Sequence, residues 1–160
     1  MYKYKDGKTC IILISCIAVL LWLVLIFNLS AQPATQSDGL SKKVTRVIVE
    51  TVVILDHGGN PEIDLVQKFN HIVRKYAHAG VYFVLGVLMM NALRRSEMRG
   101  FKVFACSFVF CALYAVSDEV HQLFVLGRGA QVMDVLIDCS GALVGIGMYG
   151  VLKKMKKVMI

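Results

Sequence analysis

The sequence predicts an all-α integral membrane protein, a compact bundle of four transmembrane helices with both termini in the cytoplasm. Three observations lead there. Of the 160 residues, 57% are hydrophobic, and the mean hydropathy is +0.64; a soluble domain of this length is nearer half apolar and carries more charge. The apolar residues are gathered into four runs with polar segments between them. Lysine and arginine fall mainly on one side of those runs, as the topology of a multi-pass protein requires.

The first run, Thr9–Ser37, holds 29 consecutive uncharged residues around CIILISCIAVLLWLVLIF. A secretory signal has an apolar stretch of roughly 7–15 residues and small residues before its cut. This run is longer, and Leu29 occupies the −3 position of a cut after Ala31, so a retained helix is expected. The second, Tyr76–Leu93, carries only His78 among groups that titrate near neutrality. The third and fourth, Val103–Ser117 and Cys139–Leu152, have 15 and 14 uncharged residues. At about 1.5 Å per residue they cover roughly 21–22 Å, short of a hydrocarbon core of ~30 Å. To span, the third helix must take in Lys102 and Asp118–Glu119, and the fourth must take in Asp134 and Asp138. The expected helices are about 9–29, 72–93, 101–120 and 132–152, in one domain of residues 1–160.

Orientation follows from the basic residues. Lys3, Lys5, Lys8, Arg94, Arg95, Arg99, Lys102, Lys153, Lys154, Lys156 and Lys157 place 11 of the 18 on one side, opposed there by Asp6 and Glu97 alone. That side is predicted to be cytoplasmic, with Ser37 accessible from outside and Ser96 from inside. The net charge of +7 is thus a topology signal, and nucleic-acid binding is not supported. The five cysteines lack CxxC spacing and all lie in apolar runs, as small core residues do. The outer loop, about residues 30–71, opens polar and turn-rich. It then runs through SKKVTRVIVETVVILD, ambiguous between an amphipathic helix and a strand, and breaks at HGGNP. Asn60, Pro61 and Glu62 read as the start of a short helix leading into the second span.

The charged residues of the last three spans cluster at the outer end. By helical rise, Arg74, Lys75, Asp118, Glu119 and Asp134 come within ~5 Å of the membrane boundary, and His78, Tyr114 and Asp138 at ~9 Å. Arg74, His78 and Tyr82 share one helix face, as do Tyr114, Asp118 and Gln122, and as do Asp134 and Asp138 with Gly141 and Gly145. An ionised group in mid-bilayer costs about 2.5–3.5 kcal/mol on insertion scales, so these stripes are expected to face one another. Arg74 is expected within reach of Asp118, Glu119 or Asp134. An ion-pair network closing the bundle would explain any one of these residues. The whole set exceeds what packing needs, since GALVG already offers a small-xxx-small contact.

RKYAHAGVYFVLG and SDEVHQLFVLGRGAQVMDVLIDCSGALVGIG resemble the VanZ-like membrane proteins. The shared pattern is RK-x-x-H at the start of one span, D-E-x-x-Q at the end of the next, then an arginine and D-x-x-x-(D/N)-x-x-G. Ser30-Ala31-Gln32 resembles the S-x-Q that follows the family's first span. Leu126 departs from the proline expected before Gly-Arg. The resemblance implies a bacterial plasma-membrane protein associated with low-level resistance to teicoplanin, a glycopeptide that binds cell-wall precursors outside the membrane.

Three functions compete. In the first, an outer-face site binds an amphiphile: membrane lipid, a cell-wall precursor or the lipid tail of a glycopeptide. Its binding residues would be Arg74, Lys75, His78, Tyr82, Asp118, Glu119, Gln122, Arg128, Asp134 and Asp138. Arginine and lysine would grip phosphate or carboxylate, and Tyr76, Tyr82 and Phe124 would line the apolar side. In the second, an intramembrane hydrolase or transferase would draw its acid–base groups from His78, Asp118, Glu119 and Asp134, as His78 with Asp138 or His121 with Glu119. A metal variant would use His78, Asp118, Asp134 and His121. No HExxH, no Gly-x-Ser-x-Gly, no dedicated nucleophile and no cofactor motif is present, and Ser117 and Ser140 read as helix-packing hydroxyls. The third is a structural or accessory protein with an anchoring basic tail. Within the site, Asp118, Glu119 and Asp134 are expected to form a working layer, with His78 and Asp138 supporting it from beneath.

Overall fold

The computed structural model describes residues 2–33 and 63–158, with the side chains of residues 2–6, 63–71, 74 and 157–158 outside the description. Four helices make up the described chain: α1 Tyr2–Ser30, α2 Ile63–Arg95, α3 Phe101–Gln122 and α4 Val132–Val158. All four are long and apolar enough to cross a membrane, over Gly7–Ser30, Lys75–Arg95, Phe101–Gln122 and Val132–Lys156. The expected all-α four-span architecture is therefore present. The ambiguous stretch of the outer loop and the HGGNP break lie outside the described residues, and so does the expected ion pair of Arg74.

The helices overrun the apolar runs. α2 begins at Ile63, so the short helix expected after Pro61 is continuous with the second span. α1 and α4 continue into the basic segments at Tyr2 and Val158. Hydropathy marks only the length that hydrocarbon covers, whereas intrahelical hydrogen bonds propagate through Lys, Arg, Glu and Gln, all good helix formers.

α2 is the hub, packing on the other three helices, and its contact with α4 is the largest in the bundle. The two run parallel, from the Lys75/Asp134 end to the Arg95/Lys153 end. Small residues let them approach until backbone meets backbone. A methyl group added to Gly141 would collide with the carbonyl of Ala79, one added to Gly145 with that of Phe83, and one added to Gly86 with that of Ala142. Without a hydrophobic drive between helices in lipid, this contact supplies the dispersion and Cα–H···O interactions that hold them.

Tyr82, Leu85, Met89 and Ala92 of α2 form the core with Val19 and Ile26 of α1, Cys111 and Ala115 of α3 and Ala142 of α4. Two half-buried polar links fasten α1: Trp22 Nε1 donates to the Val81 carbonyl at 3.0 Å and Tyr114 Oη to that of Leu23 at 2.7 Å. Near the terminal end, Asn91 Oδ1 accepts from Arg95 Nε at 3.1 Å and from Tyr149 Oη at 3.3 Å. The outward faces of α1, α3 and α4 carry Ile14, Leu21, Leu113, Leu136 and Val144, all exposed. In a multi-pass protein these are the surfaces that meet lipid tails.

Candidate functional site

The site lies at the bundle end opposite the termini, where α3 turns into α4. That turn is wound by successive backbone bonds, among them Phe124 to the His121 carbonyl at 3.0 Å and Arg128 to that of Val125 at 3.1 Å. Gly127 has φ 76°, a left-handed conformation that glycine adopts without a Cβ penalty. Leu126 stands 87% exposed beside it. The turn is fixed from below, because the Gln131 backbone N–H donates to Glu119 Oε2 at 2.8 Å. The bond joins the last turn of α3 to the residue before α4. Glu119→Ala is expected to cost about 1.5–3 kcal/mol, the range for a hydrogen bond to a charged group. Thermal unfolding of the purified protein checks this; an unchanged midpoint would mean the turn is anchored elsewhere.

Over this turn opens a cleft of about 120 Å³ lined by Lys75, His78, Gly127, Arg128, Gly129, Gln131, Asp134 and Ile137. Lys75 and His78, three residues apart on α2, face Asp134 and Ile137, three apart on α4, and the turn brings Arg128 across the top. Four of the residues singled out from the sequence thus meet: Lys75, His78, Arg128 and Asp134.

The remainder lie behind the cleft. Asp138 is fully buried, with His78 Nδ1 3.7 Å from its Oδ1 and, among the described residues, neither carboxylate oxygen in a regular hydrogen bond. Asp118 and Glu119 are each 4% exposed and Gln122 2%. Gln122 Nε2 donates to Asp118 Oδ2 at 3.3 Å. The buried Ser30 hydroxyl lies beside Asp118 without a well-formed hydrogen bond, so the S-x-Q end of the first span does reach the polar layer. Tyr82, 1% exposed, is an electrostatic neighbour of both Asp118 and Asp138 and stacks near Tyr114 with ring centroids 6.4 Å apart.

The expected layers are therefore redistributed. Asp118 and Glu119 are sealed as Asp138 is, whereas His78, expected beneath, reaches the cleft. Depth along a helix says how far a residue lies from the boundary; the direction of its side chain decides whether a ligand can touch it. Tyr76 and Phe124, expected on the apolar side, are 76% and 84% exposed and do not line the cleft. His121 packs on Phe27 with ring centroids 4.5 Å apart and is not joined to Glu119. Among the described residues no three His, Cys, Asp or Glu side chains are grouped to hold a metal ion, so His78, Asp118, Asp134 and His121 do not form a ligand shell. Sequence reasoning missed Gly127, Gly129, Gln131 and Ile137 as lining residues, although the Gly-Arg-Gly run signalled a turn whose backbone stands open.

Fold and site define a multi-pass helical membrane protein with a mixed-charge cleft at one end of the bundle and buried carboxylates behind it. The chain belongs to the VanZ/LLP1 family, whose model matches residues 15–153 and so takes in every cleft-lining residue. No curated protein and no solved structure gives a significant match.

Proposed function

We propose that the cleft binds the anionic part of a lipid-linked or otherwise amphiphilic cell-envelope ligand at the outer face of a bacterial plasma membrane. Through that ligand it contributes to low-level resistance of the teicoplanin type. The observation that carries this reading is the convergence of Lys75, Arg128 and His78 on one cleft, at the bundle end away from the basic termini. Two cations from separate elements are what a phosphate or carboxylate requires, and arginine adds bidentate geometry. The exposed apolar helix faces beside the cleft give a lipid tail somewhere to lie.

General-base catalysis has one observation in its favour, His78 in the cleft with Asp138 behind it at 3.7 Å. Among the described residues no Ser, Thr or Cys lines the cleft, and binding explains the basic residues more directly.

The test is expression in a glycopeptide-susceptible Gram-positive host. The inhibitory concentration of teicoplanin should rise at least twofold, with little change for a glycopeptide that has no lipid tail. A Lys75→Ala/Arg128→Ala double variant at equal protein level should return it to the control value. In the same cells, a cysteine at Ala130 should label from outside and one at Ser96 from inside. Resistance that survives the double variant, or reversed labelling, would sink this reading.

A further inference from the structure

The cleft is chemically two-sided. Lys75 and Arg128 supply positive charge, and Asp134 supplies a carboxylate in the same lining. Asp134 Oδ1 is buried and receives no hydrogen bond among the described residues. Behind it stand Glu119 and Asp138, electrostatic neighbours of Asp134, with 4% and 0% exposure. Glu119 uses one oxygen for the Gln131 N–H, and Oε1 receives no hydrogen bond among the described residues. A wholly anionic group in this cleft would meet two cations but also the Asp134 carboxylate, with two more carboxyl groups behind it. A wholly cationic group would meet the reverse.

Both walls are satisfied together by a group that carries both charges. We infer that the head group recognised here is zwitterionic, with a primary ammonium on Asp134 and a phosphate or carboxylate a few ångströms away on Lys75 and Arg128. This rests on the reading of the cleft as an anion-gripping site and adds the second charge to it. The ammonium is primary because –NH₃⁺ donates up to three hydrogen bonds, and Asp134 Oδ1 has an acceptor to offer. A quaternary ammonium donates none and is held by aromatic faces, yet among the described residues no Trp, Tyr or Phe lines the cleft.

The test uses the full-length protein in neutral detergent, with bound lipid counted by native mass spectrometry. The probes are short-chain phosphatidylethanolamine, phosphatidylcholine and phosphatidylglycerol of matched tails. The ethanolamine lipid should bind at least tenfold more tightly than either of the others. Asp134→Asn, near-isosteric and checked for an unchanged melting midpoint, should erase that preference and leave phosphatidylglycerol bound as well as before or better. Lys75→Ala/Arg128→Ala should weaken all three. If phosphatidylglycerol equals phosphatidylethanolamine in the unaltered protein while the double variant still loses both, the zwitterion is overturned and the anion-gripping cleft stands. If binding of every lipid is indifferent to the double variant, both fall. A preference that survives Asp134→Asn also overturns the inference. Competition by soluble O-phosphoethanolamine supports a phosphate source for the anion, and competition by a dipeptide with free amine and carboxylate supports an amino-carboxylate source. Competition by neither overturns the assignment.

Discussion

Asp134→Asn should abolish the resistance phenotype at unchanged protein level, while Asp138→Asn should keep most of it. Both changes replace a carboxylate with an amide on the same helix, one turn apart, so helix propensity and volume do not separate them. Their surroundings do. Asp134 lines the cleft with Oδ1 unengaged among the described residues, and the variant puts a neutral amide where the carboxylate would face a ligand cation. At roughly 4 Å and an effective dielectric near 20, an opposed pair of charges is worth on the order of 4 kcal/mol. Losing even a third of that weakens binding about tenfold. Asp138 touches no ligand space; it stands behind His78 at 3.7 Å and is fully buried. An amide there still presents a carbonyl oxygen to the imidazole and removes a charge that is costly to bury. Inhibitory concentrations for the two variants, with immunoblots for protein level, check the outcome. Equal loss or equal retention would refute the distinction between a lining carboxylate and a supporting one.

Gly145→Leu should leave little folded protein in detergent, whereas Gly147→Ala should be near neutral. The two glycines lie two residues apart on α4. A Cβ on Gly145 would strike the Phe83 carbonyl, and one on Gly147 meets nothing within 4 Å. Overpacking an ordinary core costs about 1–3 kcal/mol because side chains can shift. Here the obstacle is helix backbone, so α2 and α4 must separate and lose the largest contact in the bundle along with the cleft between them. Gly147→Ala removes a poor helix former, worth up to about 1 kcal/mol in its favour. Size-exclusion profiles and melting midpoints should show an aggregated or absent Gly145 variant and a monodisperse Gly147 one. A Gly145→Leu protein with an unaltered midpoint would mean that α2 and α4 are not held by close backbone approach.

Much of this was legible beforehand for local reasons. Hydropathy adds along a helix, so the first span was plain from CIILISCIAVLLWLVLIF. The shortness of the third and fourth apolar runs placed Asp118, Glu119, Asp134 and Asp138 on helices. Spacing then put Arg74 with His78 and Asp134 with Asp138 on common faces. The helix ends were less legible, because α2 runs through polar residues upstream of Lys75 that hydropathy scores as loop. The staple from Glu119 to the Gln131 N–H was not legible at all, since nothing in either residue marks a partner twelve positions away.

The sequence by itself determined that this is a four-span helical membrane protein of the VanZ/LLP1 family, with carboxylates, histidine and arginine gathered at the bundle end away from its basic termini. Those are properties of composition, period and motif, each readable within one helix or loop. Only the tertiary structure decided which of the gathered residues a ligand can touch. Lys75, His78, Arg128 and Asp134 line the cleft, while Tyr82, Asp118, Glu119, Gln122 and Asp138 are shut behind it. Spacing fixes which residues share a face but not where that face points. The rotation of each helix about its axis is set by packing between residues far apart in the chain, above all where Gly141 and Gly145 meet Ala79 and Phe83.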